Sequence, residues 1–260
     1  MYLWDVPRIM TYASPDTEKI KIIRLEETGS TNDFLKTYAG EEGMMMTVVV
    51  ADYQHAGRGQ GGNSWSSEAG KNLLFSIKTY PKRVPVNRQY VMLEAKALAM
   101  KKTLDSLLEE VSIKWPNDIY FRDSKIGGTI SECLIGGEKI RNCILGTGLN
   151  VNQQTFPSGI PNPISIYNII GVEKDRNSIL TDILSNFEIY LDMVNSGKLS
   201  QIHSLYSEAL YRLHGVHLFK DSKGNFLASI DHVEPDGHII LRRLGGKLSR
   251  YAFKEVTFIT

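Results

Sequence analysis

Only two cysteines, Cys133 and Cys143, occur in the 260 residues, and no CxxC pair is present. That excludes a disulfide framework and the common zinc-ligand spacings. The two flank Gly136 and Gly137, so they can face each other across a hairpin, but reduced packing residues are the expectation. An excess of charge is also lacking: 30 Lys and Arg stand against 29 Asp and Glu, a formal net charge of +1. No global footprint for DNA or an anionic membrane follows, and any anion has to be bound locally. Long hydrophobic runs are missing too. The longest, MMMTVVVA at 44–51, falls far short of the roughly 20 residues of a spanning helix. The start, MYLWDVPRIM, lacks a basic stretch followed by an apolar core, so a cytoplasmic protein with no membrane partner is expected.

What is present is glycine in clusters. In QHAGRGQGGNSWSSEAGKNLLFS (54–76), Gly57, Gly59, Gly61 and Gly62 surround Arg58, and Trp65 follows before an apolar run. Glycine permits the backbone geometry that turns N–H groups inward, and arginine adds a permanent fork of donors, so this reads as a loop built around an anion. KWPNDIYF (114–121) mounts Lys114, Asn117 and Asp118 around a proline that breaks a strand, with Trp115 read as core. KIGGTISE (125–132) sets Lys125 beside two glycines where a ligand can approach the backbone, and GTGLNVN (146–152) repeats the device with Asn150 and Asn152 as amide readers.

Periodicity orders these segments. KIIRLEET (21–28) reads as a strand, followed by helix caps at Ser30, Thr31 and Asn32. Strands are expected over 44–54 and 72–81 on either side of the glycine loop, a long amphipathic helix over 88–110, and then a hairpin series through residue 152. QQTFPSGIPNPIS (153–165), rich in proline, is expected to be a long mobile connection. Two helical patterns follow, and beyond Leu213 short strands separated by DSKGN, EPDG and GG turns suggest a small all-β barrel. The expected division is 1–213 and 214–260.

In this order ETGSTND, the GRGxGGNxW loop, KWPND, KIGG and GTGLNVN resemble the bacterial biotin–protein ligases. The resemblance implies an α+β (α/β) catalytic domain of the class II aminoacyl-tRNA synthetase and biotin ligase type, with a mainly antiparallel sheet and a C-terminal SH3-like barrel. It implies ATP-dependent formation of biotinyl-5′-AMP and transfer of biotin to a lysine of a biotin carboxyl carrier domain. Ser30, Thr31, Gln54, Gly57, Arg58, Lys125, Gly128 and Gly146 are then the biotin-binding residues. Arg58, Gln60, Trp65, Asn117, Asp118, Lys125 and Asn150 face the nucleotide, Lys125 and Arg58 carrying the catalysis. Mg²⁺ is expected to arrive on ATP, with Asp118 as its nearest protein contact. Gln60 departs from the family pattern, which often has arginine there, and thins the positive charge. About twenty residues precede the first strand, too few for a DNA-binding domain, so a ligase without repressor function is expected. The oligomeric state stays open between monomer and homodimer. On the same fold the alternative is a lipoate ligase or octanoyl transferase, and outside it a non-catalytic sensor, against which the pairing of Arg58 with Lys125 argues.

Overall fold

The computed structural model describes residues 19–40 and 43–259. The amino-terminal MYLWDVPRIM segment, and the expectation drawn from it, lie outside these residues. Strand β1 (Ile20–Thr28) leads into helix α1 (Thr31–Thr37) and then β2 (Met46–Gln54). This is a strand–helix–strand crossover, and it makes β1 and β2 the parallel pair of an otherwise antiparallel sheet. Strands β3 (Leu73–Thr79), β4 (Val111–Lys114), β5 (Asp118–Phe121), β6 (Ser124–Gly136) and β7 (Lys139–Leu149) complete the order β1-β2-β3-β7-β6-β5-β4. The expected mixed fold with a large, mainly antiparallel sheet is therefore present.

One face of this sheet carries Val48, Val50, Phe75, Ile77, Leu145 and Leu149, all buried beneath helices α2 (Tyr90–Asp105) and α4 (Arg176–Asn195). Burial of this apolar area is the main stabilising term. The segment 153–165 holds no helix or strand, but it is pinned rather than loose: Lys125 N donates to Asn162 O at 2.7 Å and Ile164 N to Lys125 O at 3.0 Å. Helix α3 (Ile166–Ile170) follows it directly, and α5 (Leu199–Glu208) ends the helical region.

Strands β8 (His217–Asp221), β9 (Gly224–Val233), β10 (Ile239–Arg243), β11 (Leu248–Tyr251) and β12 (Thr257–Phe258) form a second antiparallel sheet, ordered β11-β10-β9-β8-β12. Among the described residues its edge strands are not paired with each other, so the sheet is open. Cys133 and Cys143 are directly opposed on β6 and β7, and their sulfurs are joined as a disulfide. The expectation of reduced packing residues is corrected by the hairpin register, which leaves no spacing between the two side chains.

The core also buries a lysine. Lys96 on α2 is 0% exposed, its Nζ has no hydrogen-bond partner, and it lies 4.3 Å from the centroid of the Phe75 ring. A desolvated cation–π contact contributes about 2 kcal/mol, whereas burying a charge costs several, so burial wins and holds the amine well below its ordinary pKa. Lys96→Met is expected to raise the melting temperature by several degrees at neutral pH. Because the unfolded chain binds the extra proton, this gain should shrink as pH rises toward 10.5, which thermal melts across that range would show.

Candidate functional site

Along β7, Leu145, Thr147 and Leu149 point into the core, so Ile144, Gly146 and Gly148 point to the opposite face. Gly148 pairs with Gly128 on β6, Gly128 with Asp118 on β5, and Gly146 with Ser76 on β3. The result is a strip of bare backbone across the sheet. Side chains from elsewhere occupy the space a Cβ would need: Asn32 at Gly146, the Trp65 indole at Gly148, and Asp118 Oδ1 at 2.7 Å from the ideal Cβ of Gly128.

Helix α1 covers one end of the strip. Its N-cap, Ser30, is buried but makes no side-chain cap bond; instead Gln54 Oε1, at the end of β2, accepts from Thr31 N at 2.8 Å. The Thr31 hydroxyl lies 3.0 Å from the same oxygen and 2.7 Å from Ser76 Oγ. Ser76 must donate its one proton to Asn32 Oδ1, 2.6 Å away, so its oxygen accepts from Thr31. Asn32 Nδ2 then donates to Glu132 Oε2 at 2.8 Å. A directed chain thus runs from Thr31 through Ser76 and Asn32 to Glu132, with Gln54 Oε1 accepting the Thr31 N–H at its head.

Glu132 also receives Lys36 Nζ at 2.8 Å and Arg58 Nη2 at 3.1 Å, and Arg58 Nη2 reaches Asp33 at 2.8 Å. Partial burial raises the Glu132 carboxyl, but the bonds from Lys36 and Asn32 and the nearby Arg58 charge together outweigh it and hold the pKa below its ordinary value. Arg58 belongs to a closed hairpin, in which Trp65 N donates to Gly57 O at 2.9 Å and Gly59 N to Asn63 O at 2.6 Å. Of the four glycines only Gly61 and Gly62 take left-handed backbone, with φ of 65° and 88°; at Gly57 a side chain would strike the Trp65 carbonyl. Arg58 Nε, Gln60 Oε1 and Trp65 Nε1 are buried without a partner among the described residues. An unmade buried bond costs about 1–3 kcal/mol, so three within one loop mark a surface built for a polar ligand.

At the other end of the strip, Lys125 Nζ pairs with Asp118 Oδ1 at 2.7 Å and lies 5.7 Å from the Trp65 ring centroid. Lys125, Asp118, Trp65 and Gly128 are therefore brought together, as are Ser30, Thr31, Gln54, Arg58 and Gly146 around α1. Asn117 and Asn150 lie at the same strand ends, but their amide nitrogens are spent on backbone, Asn117 on Thr129 O and Asn150 on Ile164 O at 3.0 Å. Asn152 likewise braces Lys174. Sequence reasoning missed Ser76 and Glu132 and took Asn32 only as a cap. A charged residue inside the apolar strand TISECLI was the available signal for Glu132.

Residues 25–150 match the sequence profile of the biotin/lipoate A/B protein ligase family. The chain is 32% identical over 156 residues to a Bacillus spizizenii protein named bifunctional ligase/repressor BirA, covering 58% of this chain and 48% of that one. It is 31% identical over 168 residues to the Mycobacterium tuberculosis biotin–[acetyl-CoA-carboxylase] ligase, covering 62% and 60%. These matches span about half the length of the relatives or somewhat more. The Aquifex aeolicus biotin protein ligase, solved in complex with biotin and ATP, superposes with a TM-score of 0.74 at 25% identity over 91% of this chain and 97% of that one.

Because Glu132 has a depressed pKa when folded, the stability it provides is present above the unfolded carboxylate value of about 4.3 and is lost as pH falls through the folded value. Glu132→Gln is expected to melt at a lower temperature than the unaltered protein at pH 7. The difference between the two should narrow as pH is taken below about 4.3, and paired thermal melts check this.

Proposed function

We propose, from the premise that the chain belongs to the biotin/lipoate A/B protein ligase family, that it is an ATP-dependent biotin–protein ligase. One observation carries the reading: a strip of bare backbone at Gly128 and Gly148, roofed by Trp65, with the Lys125 ammonium at its edge. Bare backbone beneath an aromatic face, with a cation at one end and placed polar groups at the other, suits a largely apolar acid whose carboxylate must meet a phosphate.

In this reading a biotin carboxylate oxygen attacks the α-phosphorus of ATP, the bond to pyrophosphate breaks, and biotinyl-5′-AMP remains. The amine of a carrier lysine then attacks the acyl carbon, loses a proton, and AMP leaves. Two anions meet in the first step, so fixed positive charge is the principal catalytic term. Lys125 supplies it by exchanging Asp118 for substrate oxygens, and Arg58 by leaving Asp33 and Glu132. Ser30, Thr31 and Gln54 hold the ureido end, with backbone of Gly57 and Arg58 closing over it and the bare positions Gly128 and Gly146 admitting the rings. Trp65 offers its face to adenine, while Gln60, Asn117, Asp118 and Asn150 lie toward the adenylate.

Among the described residues no three-ligand cluster lies at Asp118, and one of its oxygens is engaged by Lys125. Mg²⁺ would therefore come bound to ATP and touch the protein through the second Asp118 oxygen, neutralising phosphate charge. We assign residues 1–213 to catalysis and 214–260 to an SH3-like module, the partner being a biotin carboxyl carrier domain in the cytoplasm.

Incubation with ATP, labelled biotin and a biotin carrier domain is expected to label the carrier, without competition from lipoate. Labelling lost to lipoate, or none at all, would overturn the assignment. Lys125→Gln is expected to lower biotin-dependent ATP–pyrophosphate exchange at least about a hundredfold while weakening biotin binding far less, because this charge acts mainly in the transition state.

A further inference from the structure

The turn between β11 and β12 reaches the glycine loop from the opposite end of the chain. Lys254 Nζ donates to Gly61 O, and a side chain at Gly61, where φ is 65°, would run into the Lys254 methylenes and the Phe253 ring. This turn is anchored. Phe253 packs edge-on against Trp115 at 6.3 Å between centroids, and Trp115 Nε1 donates to Gly237 O at 2.9 Å. Trp115 is itself buried at the head of the KWPND segment, so the second sheet is fastened to the strand end that also carries Asp118. Lys254 is exposed and holds left-handed backbone, φ 71°, a conformation uncommon for a non-glycine residue.

Charge accounting around the loop gives this lysine a purpose. Arg58 faces two carboxylates, Asp33 and Glu132, and Lys125 faces Asp118. The loop residues 56–66 contain no other basic side chain. Among the described residues Lys254 is in no ion pair, and its neighbour Glu255 is turned away to Ala252 N at 2.7 Å. The uncompensated positive charge on the glycine loop therefore comes from the second sheet. We propose that Lys254 binds the nucleotide phosphates, supplying from the C-terminal sheet the charge that Gln60, Gly61 and Gly62 do not. This rests on the ligase reading above and adds to it a residue and a task for the second sheet: closure over the phosphate side of the site.

The proposal separates charge from packing. Lys254→Gln keeps a donor for Gly61 O but loses the charge, and Lys254→Arg keeps the charge. The measurement is biotin-dependent ATP–pyrophosphate exchange, with KM for ATP and for biotin determined separately, alongside direct biotin binding. Lys254→Gln is expected to raise KM for ATP about tenfold or more, a loss of about 1.4 kcal/mol, with biotin binding unchanged. Lys254→Arg should stay near the unaltered value, and Gln60→Arg in the Lys254→Gln background should recover most of the loss by restoring a charge to the same loop. An unchanged KM for ATP in Lys254→Gln would overturn the proposal. Parallel loss of ATP and biotin affinity, or no recovery in the double variant, would overturn it in favour of a packing contact. Absence of exchange in the unaltered protein would instead overturn the ligase reading, and this inference with it.

Discussion

Three side chains stand where the sheet has no Cβ: Asn32 over Gly146, Trp65 over Gly148 and Asp118 over Gly128. Everything else in the site hangs on that close approach. Were Gly146 an alanine, Asn32 would have to leave, and with it the bonds Asn32 accepts from Ser76 and donates to Glu132. Were Gly148 an alanine, the indole would lift and the hairpin closed by Trp65 N and Gly57 O would lift with it. These glycines serve by being small. Gly61 and Gly62 serve by their left-handed backbone, a different demand met by the same residue.

Helix α1 illustrates how the sheet compensates for weak local structure. Seven residues form too short a helix to persist alone, and its Ser30 cap contributes no side-chain bond. Two strand residues replace what the helix lacks. Gln54 Oε1 receives the Thr31 N–H at the first turn, and Lys78, reaching from β3, donates to Leu35 O at 3.2 Å and Tyr38 O at 2.8 Å at the last. The ends of α1 are thereby fixed to β2 and β3, so the polar face carrying Thr31, Asn32 and Asp33 is aimed at the strip with little freedom left to lose on binding.

Much of this was legible in the sequence. The strands around the glycine loop, the long α2, the hairpin at Gly136-Gly137 and the proline-rich segment all follow from local period and punctuation, which are properties of neighbouring residues. Lys125 and Asp118, which the structure pairs, were singled out because each sits in a motif at a strand end. Ser76 and Glu132 were not, since one looks like an ordinary strand position and the other joins Asn32 across a separation of 100 residues. Lys254 meets Gly61 across 193 residues and lies in no motif. The disulfide was legible as geometry, two cysteines on either side of a turn, and missed because composition argued the other way. Period and motif report what a residue's neighbours require; contacts made by the third dimension leave no trace at that range.

The lysines show how burial decides what a charge can do. Lys96, sealed among aromatic rings with no partner, is held well below its ordinary pKa by burial and lies out of reach of any ligand. Lys125 is 29% exposed and paired at 2.7 Å with Asp118, so it is only partly desolvated. In the proposed function an incoming anion would exchange for a carboxylate already in place, the cost of stripping water from the ammonium having been met in part beforehand. Arg58 is arranged alike, between Asp33 and Glu132. A neutral ligand cannot drive either exchange, because it leaves the displaced carboxylate unpaired with nothing gained. In the proposed function the pairing of each site cation with an acid is therefore a source of selectivity as well as stability: it sets a threshold of negative charge that a ligand must carry before the loop releases its arginine.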